Sequence, residues 1–304
     1  MDIKANTKHK DRLFSALFNT NREWTLSLYN AVADRNVTDP DEIEFVTMDD
    51  YLYMSRKNDL SFIICNQINI YEHQSTFNPN MPVRELIYLA RQYEGIISKY
   101  PEGMIYSERQ MKLPVPRLFT FYNGEKERPE KSILSLKDAF GDDAELSDVS
   151  VNVTMLNINS GNNRRILDRC EPLAEYSWLI ARIREKRKEL SSADRQKDRL
   201  LLREAIDAAI NEMPDDFRIR EYLVRHRAEV CDMLFTEYDE AKVMEGLKEV
   251  YREEGREEGR EEGQDLLIRA LEMRMSGKSY EEILEETGIT AERLEKIASL
   301  VEKR

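Results

Sequence analysis

Asp59 and, thirteen positions on, the triplet Glu72-His73-Gln74 offer two carboxylates and a carboxamide at the ends of two β-rich runs. Two carboxylates on one sheet face can hold a divalent cation, which polarises a phosphoryl oxygen and lowers the pKa of a bound water. The elements that must bring them together are Leu60–Ile64 and Ile68–Tyr71, separated by the polar pair Asn66-Gln67, and they read as a tight hairpin. A turn centred on Asn66-Gln67 sets Asp59 opposite Gln74 and Ser61 opposite Glu72, with Asp59 and Glu72 diagonal neighbours roughly 7 to 8 Å apart. Asp59, Ser61, Ile63 and Cys65 then share a face with Ile68, Ile70, Glu72 and Gln74, apolar near the turn and polar at the open end. A slip of one residue would scatter the polar set across both faces. Spacing by itself favours a plainer arrangement, in which these are solvated side chains at a frayed hairpin end.

The wider stretch is more specific. Lys57-Asn58-Asp59-Leu60-Ser61-Phe62, Ile70-Tyr71-Glu72-His73-Gln74-Ser75-Thr76 and Asn78-Pro79-Asn80-Met81-Pro82-Val83-Arg84-Glu85-Leu86-Ile87-Tyr88 resemble the Rpn family of recombination-promoting nucleases, also labelled transposases, within the PD-(D/E)XK superfamily. The resemblance is strongest in the first half of the chain and extends in style to the Gly-Arg-Glu-Glu repeats near the C-terminus. It implies a restriction-endonuclease-like α/β core, metal binding by Asp59 and Glu72, and Gln74 where the wider superfamily has Lys. Arg84 and Tyr88, one helical turn apart, are similar to a Gln-x-x-x-Tyr motif with Arg in place of Gln. Lys10-Asp11-Arg12-Leu13-Phe14 resembles the family's opening helix, with Ser15 where Lys is usual, and this match makes Asp11 a candidate for a second cation. The implied activity is a Mg²⁺- or Mn²⁺-dependent DNA endonuclease linked to recombination, mobile elements or defence. The alternative is a weak or silent nuclease-fold protein acting as an interaction or regulatory module.

Bulk properties constrain this picture. The 304-residue length exceeds a usual single domain, which suggests one main core plus an appendage. The net charge of −13 opposes a generic nucleic-acid binder, which needs a basic face. Arg56, Lys57, Arg84 and Arg91, with Tyr88, are the candidate substrate contacts near the acids, each reading equally well as surface. Cys65, Cys170 and Cys231 lack metal-ligand spacing, and neither a signal core nor an 18-residue apolar run occurs, so a cytoplasmic protein without a membrane partner is expected.

Periodicity divides the chain into 1–165, a nuclease-like domain; 166–251, a helical region; 252–264, a Gly/Arg/Glu repeat linker; and 265–304, a C-terminal module of two to three helices. Two helices fall within Lys10 to Ala33, broken at Asn19-Thr20-Asn21. A helix at Pro82 to Lys99 carries an apolar stripe of Val83, Leu86, Ile87, Ala90, Tyr93 and Ile97. Strands are expected at Glu44–Met48, Pro114–Tyr122 and Val149–Ile158, and long charged helices from about Glu171 onward. In the repeat, Glu-Arg pairs three residues apart favour helix while each Gly opposes it by about 1 kcal/mol. Its Gly stripe permits close helix contact, so a homo-oligomer through the C-terminal helices is a further expectation. Ser279 with Glu282 spells a capping box, and Gly288 a helix end.

Overall fold

A computed structural model describes residues 12–46, 59–190, 195–293 and 296. The protein is α/β, with a mixed six-stranded sheet and many helices. In chain order the main elements are α1 (Leu13–Thr20), α2 (Arg22–Ala33), β1 (Glu44–Phe45), β2 (Leu60–Ile64), β3 (Gln67–Gln74), α3 (Met81–Ile97), β4 (Val115–Tyr122), β5 (Lys131–Ser135), β6 (Asn152–Asn157), α4 (Arg164–Arg169), α5 (Glu171–Glu189), α6 (Arg195–Glu212), α7 (Arg220–Arg225), α8 (Arg227–Met275) and α9 (Tyr280–Thr287). Strands run β1-β2-β3-β4-β6-β5 across the sheet, β3-β4 and β4-β6 being parallel and the other neighbours antiparallel. A parallel pair needs a crossover, and α3 supplies it between β3 and β4. Among the described residues no helix is long and apolar enough to cross a membrane.

The hairpin pairs Ile64 with Gln67 and Leu60 with Tyr71, so its two-residue turn is Cys65-Asn66 and not Asn66-Gln67. Both turn residues have positive φ, 49° and 57°, as the tight primed turn that matches strand twist requires. Partners therefore differ by two positions from the sequence expectation. One further step in this register sets Asp59 directly opposite Glu72, not Gln74, while a slip of two leaves each side chain on its expected face. Cys65 leaves the apolar face and is exposed in the turn. Left-handed backbone crowds a Cβ against the following carbonyl oxygen, a contact that glycine lacks, so Cys65→Gly is expected to raise stability by about 0.5 kcal/mol, read as a higher urea midpoint with unchanged slope.

Strand β3 is central, and every residue after Gln67 is buried. Its odd side, with Tyr71, faces a core shared with Phe14, Phe62, Phe119, Phe121, Tyr176 and the helices α1, α2, α5 and α6. The Tyr71 ring lies 5.2 Å from that of Phe62 and 5.4 Å from that of Phe121, both edge-on. The even side, with Ile68 and Ile70, packs with Met81, Tyr88 and Leu89 of α3 and with Leu118, Leu136, Val151 and Val153. Here the expected stripe on α3 is corrected: Val83 and Ala90 are exposed, and the buried face is Met81, Glu85, Tyr88, Leu89 and Gln92. The sheet beneath this helix ends in Asp59, Ser61, Glu72 and Gln74, so polar helix residues turn inward to meet them.

The chain forms two compact units, Met1–Ala241 and Lys242–Arg304. In the second, Ala270, Met273, Ile283 and Ile289 form a small core. Ser279 accepts from the Glu282 N–H while the Glu282 side chain accepts from the Ser279 N–H, and Gly288 closes α9 at φ 67°. The repeat glycines Gly255, Gly259 and Gly263 lie within α8, and a Cβ at each would meet nothing within 4 Å, so local space does not demand glycine there.

Candidate functional site

The Asp59 and Glu72 side chains meet at the open end of the β2–β3 hairpin, both almost wholly buried. The Asp59 N–H donates to Glu72 Oε1 at 3.2 Å, and the His73 N–H donates to Asp59 Oδ2 at 2.7 Å. The two acids are thus locked through the backbone of adjacent strands, which fixes their separation more firmly than side-chain packing alone.

Each acid also faces a guanidinium. Arg84 Nη2 lies 2.8 Å from Glu72 Oε2, donates to the Tyr88 hydroxyl at 3.2 Å, and its carbon sits 5.8 Å from the Tyr88 ring centre. Arg12 Nη1 donates to the His73 carbonyl at 2.8 Å and lies 3.6 Å from Asp59 Oδ2. Burial, and next the negative charge of Asp59, push the Glu72 carboxyl up to about 8, against the pull of Arg84 and Arg12. Burial draws the Arg84 pKa down, but Glu72 and Tyr88 together more than offset it and the net shift is upward.

Gln74 points to the same face, beside the Met81 sulfur, and its Oε1 is buried without a hydrogen-bond partner among the described residues. Two further side chains on α3 belong to this layer. Glu85 is fully buried: Thr120 Oγ1 donates to its Oε1 at 3.1 Å, its Oε2 has no partner among the described residues, and burial, then Glu72, hold its carboxyl well above the usual range. Gln92 donates to the Ser61 hydroxyl, and its own Oε1 has no partner among the described residues. Neither received a role from sequence, although positions 81, 85, 88 and 92 trace one helical face. The polar identity of two of the four masks that face from any search for apolar spacing.

The structure therefore brings together Asp59, Glu72, Gln74, Arg84 and Tyr88. Tyr88 is fully buried and serves Arg84, while Arg91 is half-buried on α3. Asp11, Arg56 and Lys57 lie outside the described residues. His73 points to the other side of the sheet, its ring stacked on Phe14 at 5.5 Å with Nε2 3.1 Å from the Tyr176 hydroxyl, and burial draws its pKa down to about 3.

Among the described residues no group of three or more His, Cys, Asp or Glu side chains is arranged to hold a metal ion. A cation here would draw on two carboxylates and a main-chain oxygen. The Asp59 carboxylate and the His73 carbonyl already converge on one positive group, the Arg12 guanidinium, and such an all-oxygen set suits Mg²⁺ or Mn²⁺. Two cavities, of about 550 and 900 Å³, lie elsewhere in the first unit, one beside Asn30 and Arg169 and the other beside Trp178 and Phe217. Comparison with protein-family models, with curated proteins and with solved structures finds no match for this chain.

Proposed function

We propose that the protein is a metal-dependent DNA endonuclease with a restriction-endonuclease-like core of the PD-(D/E)XK type, as the resemblance to the Rpn family implies. The observation that carries this reading is the interlocked pair of buried carboxylates, Asp59 and Glu72, on the central hairpin. The order of helix, antiparallel strands, crossover helix and parallel strand around that pair supports the same core. Asp59, Glu72 and the His73 carbonyl would hold Mg²⁺ or Mn²⁺, and Asp11 is the candidate for a second ion. When bound, such an ion supplies Lewis-acid stabilisation of the scissile phosphate and lowers the pKa of the attacking water.

The remaining work falls to this chain's own side chains. Gln74 orients the water, its unpartnered Oε1 accepting a proton-bearing O–H. It offers a dipole where an ammonium would offer a charge, so the water is positioned without cationic help. Arg84 fixes the Glu72 carboxylate, while Lys57 and Arg91 contact DNA phosphates. The test is incubation of supercoiled plasmid with the full-length protein: nicked and linear forms appear with Mg²⁺ or Mn²⁺ and not with EDTA, and intact plasmid under both conditions contradicts the reading.

Cation affinity should depend on pH. A metal must displace the Glu72 proton, so with that carboxyl near 8 the apparent Mn²⁺ affinity rises about tenfold per pH unit below 8 and levels off above it. Calorimetric titration at pH 6, 7 and 9 reads this slope, and a flat profile would exclude Glu72 as a ligand.

A second reading is favoured by the charges already in place. Each acid is matched by an arginine, Gln74 replaces the usual Lys, and the chain is acidic. In that case the fold is a silent scaffold whose C-terminal helices bind a partner or a second copy, and it neither cuts plasmid nor binds Mn²⁺.

A further inference from the structure

We infer that Arg12 is a built-in counter-cation that exchanges with the divalent ion, so that the site holds either the guanidinium or the metal. This rests on the proposed cation site and concerns how that site is controlled.

Arg12 sits at the N-cap of α1, in extended backbone just ahead of Leu13, Phe14, Leu17 and Phe18, which are fully buried. The Leu13 N–H donates to Glu237 Oε1 at 3.2 Å, so the backbone that carries the arginine is held from two sides. From this fixed base its side chain reaches across to the hairpin and touches oxygens from both strands, Oδ2 of Asp59 and the carbonyl of His73. These are the oxygens a cation would need together with Glu72.

The two guanidiniums of the site engage different oxygens. Arg84 is clamped: it contacts Glu72 at 2.8 Å, the Tyr88 hydroxyl, the Tyr88 ring and the Met81 sulfur. Arg12 Nη1 lies 3.6 Å from Asp59 Oδ2 and 2.8 Å from the His73 carbonyl, so it engages oxygens of both strands, and its side chain is 22% exposed against 19% for Arg84. A long arginine stem lets the head swing outward and stay hydrated, and Arg12 is the guanidinium that lies on the Asp59 and His73 oxygens, whereas Arg84 lies on Glu72. A doubly charged ion and a guanidinium within a few ångströms of one carboxylate repel each other, so occupancy by one weakens the other. Without metal, Arg12 neutralises part of a buried acidic pair that would otherwise destabilise the fold.

The test is calorimetric titration of the full-length protein with MnCl₂ at pH 9, with thermal unfolding measured alongside, for the parent, Arg12→Gln and Arg12→Lys. Arg12→Gln is expected to bind Mn²⁺ about tenfold more tightly, to melt below the parent without metal, and to gain more from saturating Mn²⁺. Arg12→Lys retains the charge but loses the fork that spans two oxygens, and about a threefold gain is expected; it carries the test should Arg12→Gln fail to fold. Binding in Arg12→Gln alone, with none in the parent, also supports exchange. Equal or weaker binding in the variants, with clear binding in the parent, overturns exchange and leaves the metal reading standing. No binding in any of the three overturns the metal reading and exchange with it.

Discussion

Asp59→Ala and Glu72→Ala proteins are expected to cut plasmid DNA with Mg²⁺ at least about a hundredfold more slowly than the parent. A bound divalent ion contributes several kcal/mol of transition-state stabilisation, and each 1.36 kcal/mol is a factor of about ten in rate, so loss of one of two carboxylate ligands removes two or more powers of ten. Both alanines also disturb structure, since Asp59 Oδ2 accepts the His73 N–H and Glu72 Oε1 accepts the Asp59 N–H. Glu72→Gln separates the two effects. Its carboxamide oxygen can still accept from Asp59 while the ligand charge is gone, so it is expected to be folded by circular dichroism and equally inactive. Parent-like cleavage by all three would remove these acids from the mechanism.

Arg84→Ala is expected to destabilise the fold by about 1.4 kcal/mol more at pH 9 than at pH 6, because truncation strands the Glu72 carboxylate in the interior without its partner and each pH unit above a folded value near 8 is worth about 1.36 kcal/mol. Arg84 is 19% exposed, and this solvent access keeps the expected loss below the roughly 3 to 5 kcal/mol that breaking a fully buried pair costs. The effect depends on pH. Raised in the folded protein to about 8, the Glu72 carboxyl costs stability progressively as pH climbs from the unfolded value near 4.5, and with Arg84 gone the folded value is higher still. The parent stops losing stability near pH 8 and the variant continues to lose it, so the difference appears above pH 8. At pH 6 both carboxyls are protonated and the difference shrinks to lost packing. Adding Glu72→Gln to Arg84→Ala should recover most of the loss at pH 9, and denaturant unfolding of the four proteins in this cycle measures the coupling. A loss that is the same at pH 6 and pH 9 would mean that Arg84 acts through packing alone.

The sequence carries the site's face but not its pairing. Alternation along Leu60–Ile64 and Gln67–Gln74 puts Asp59, Ser61, Glu72 and Gln74 on one side whether the strands pair as expected or two positions away. The direct opposition of Asp59 and Glu72 hangs on the turn. Asn66-Gln67 looks the better turn by polarity, whereas the chain uses Cys65-Asn66, and nothing in a cysteine announces a positive φ of 49°. The break between α1 and α2 is legible because Asn21 caps the second helix, accepting the Trp24 N–H at 3.1 Å.

The buried face of α3 is not legible, because an apolar-periodicity search assumes that the covered side is apolar, and here it includes Glu85 and Gln92. Strand β5 escapes for the opposite reason: Lys131-Ser132-Ile133-Leu134-Ser135 is a short edge strand whose Ile133 is exposed, so no hydrophobic run marks it. Arg12 reaches a carbonyl 61 positions away, a contact that only the packing of α1 against the sheet creates.

Asp59 and Glu72 are proposed to hold a divalent cation together. Calorimetric titration of the full-length parent and of Glu72→Gln with MnCl₂ at pH 9 tests this pairing. Saturable binding near one ion per chain, or two if Asp11 contributes a second seat, is expected for the parent and should be lost or weakened at least tenfold in Glu72→Gln. Binding of equal strength in both proteins, or none in the parent, would contradict it.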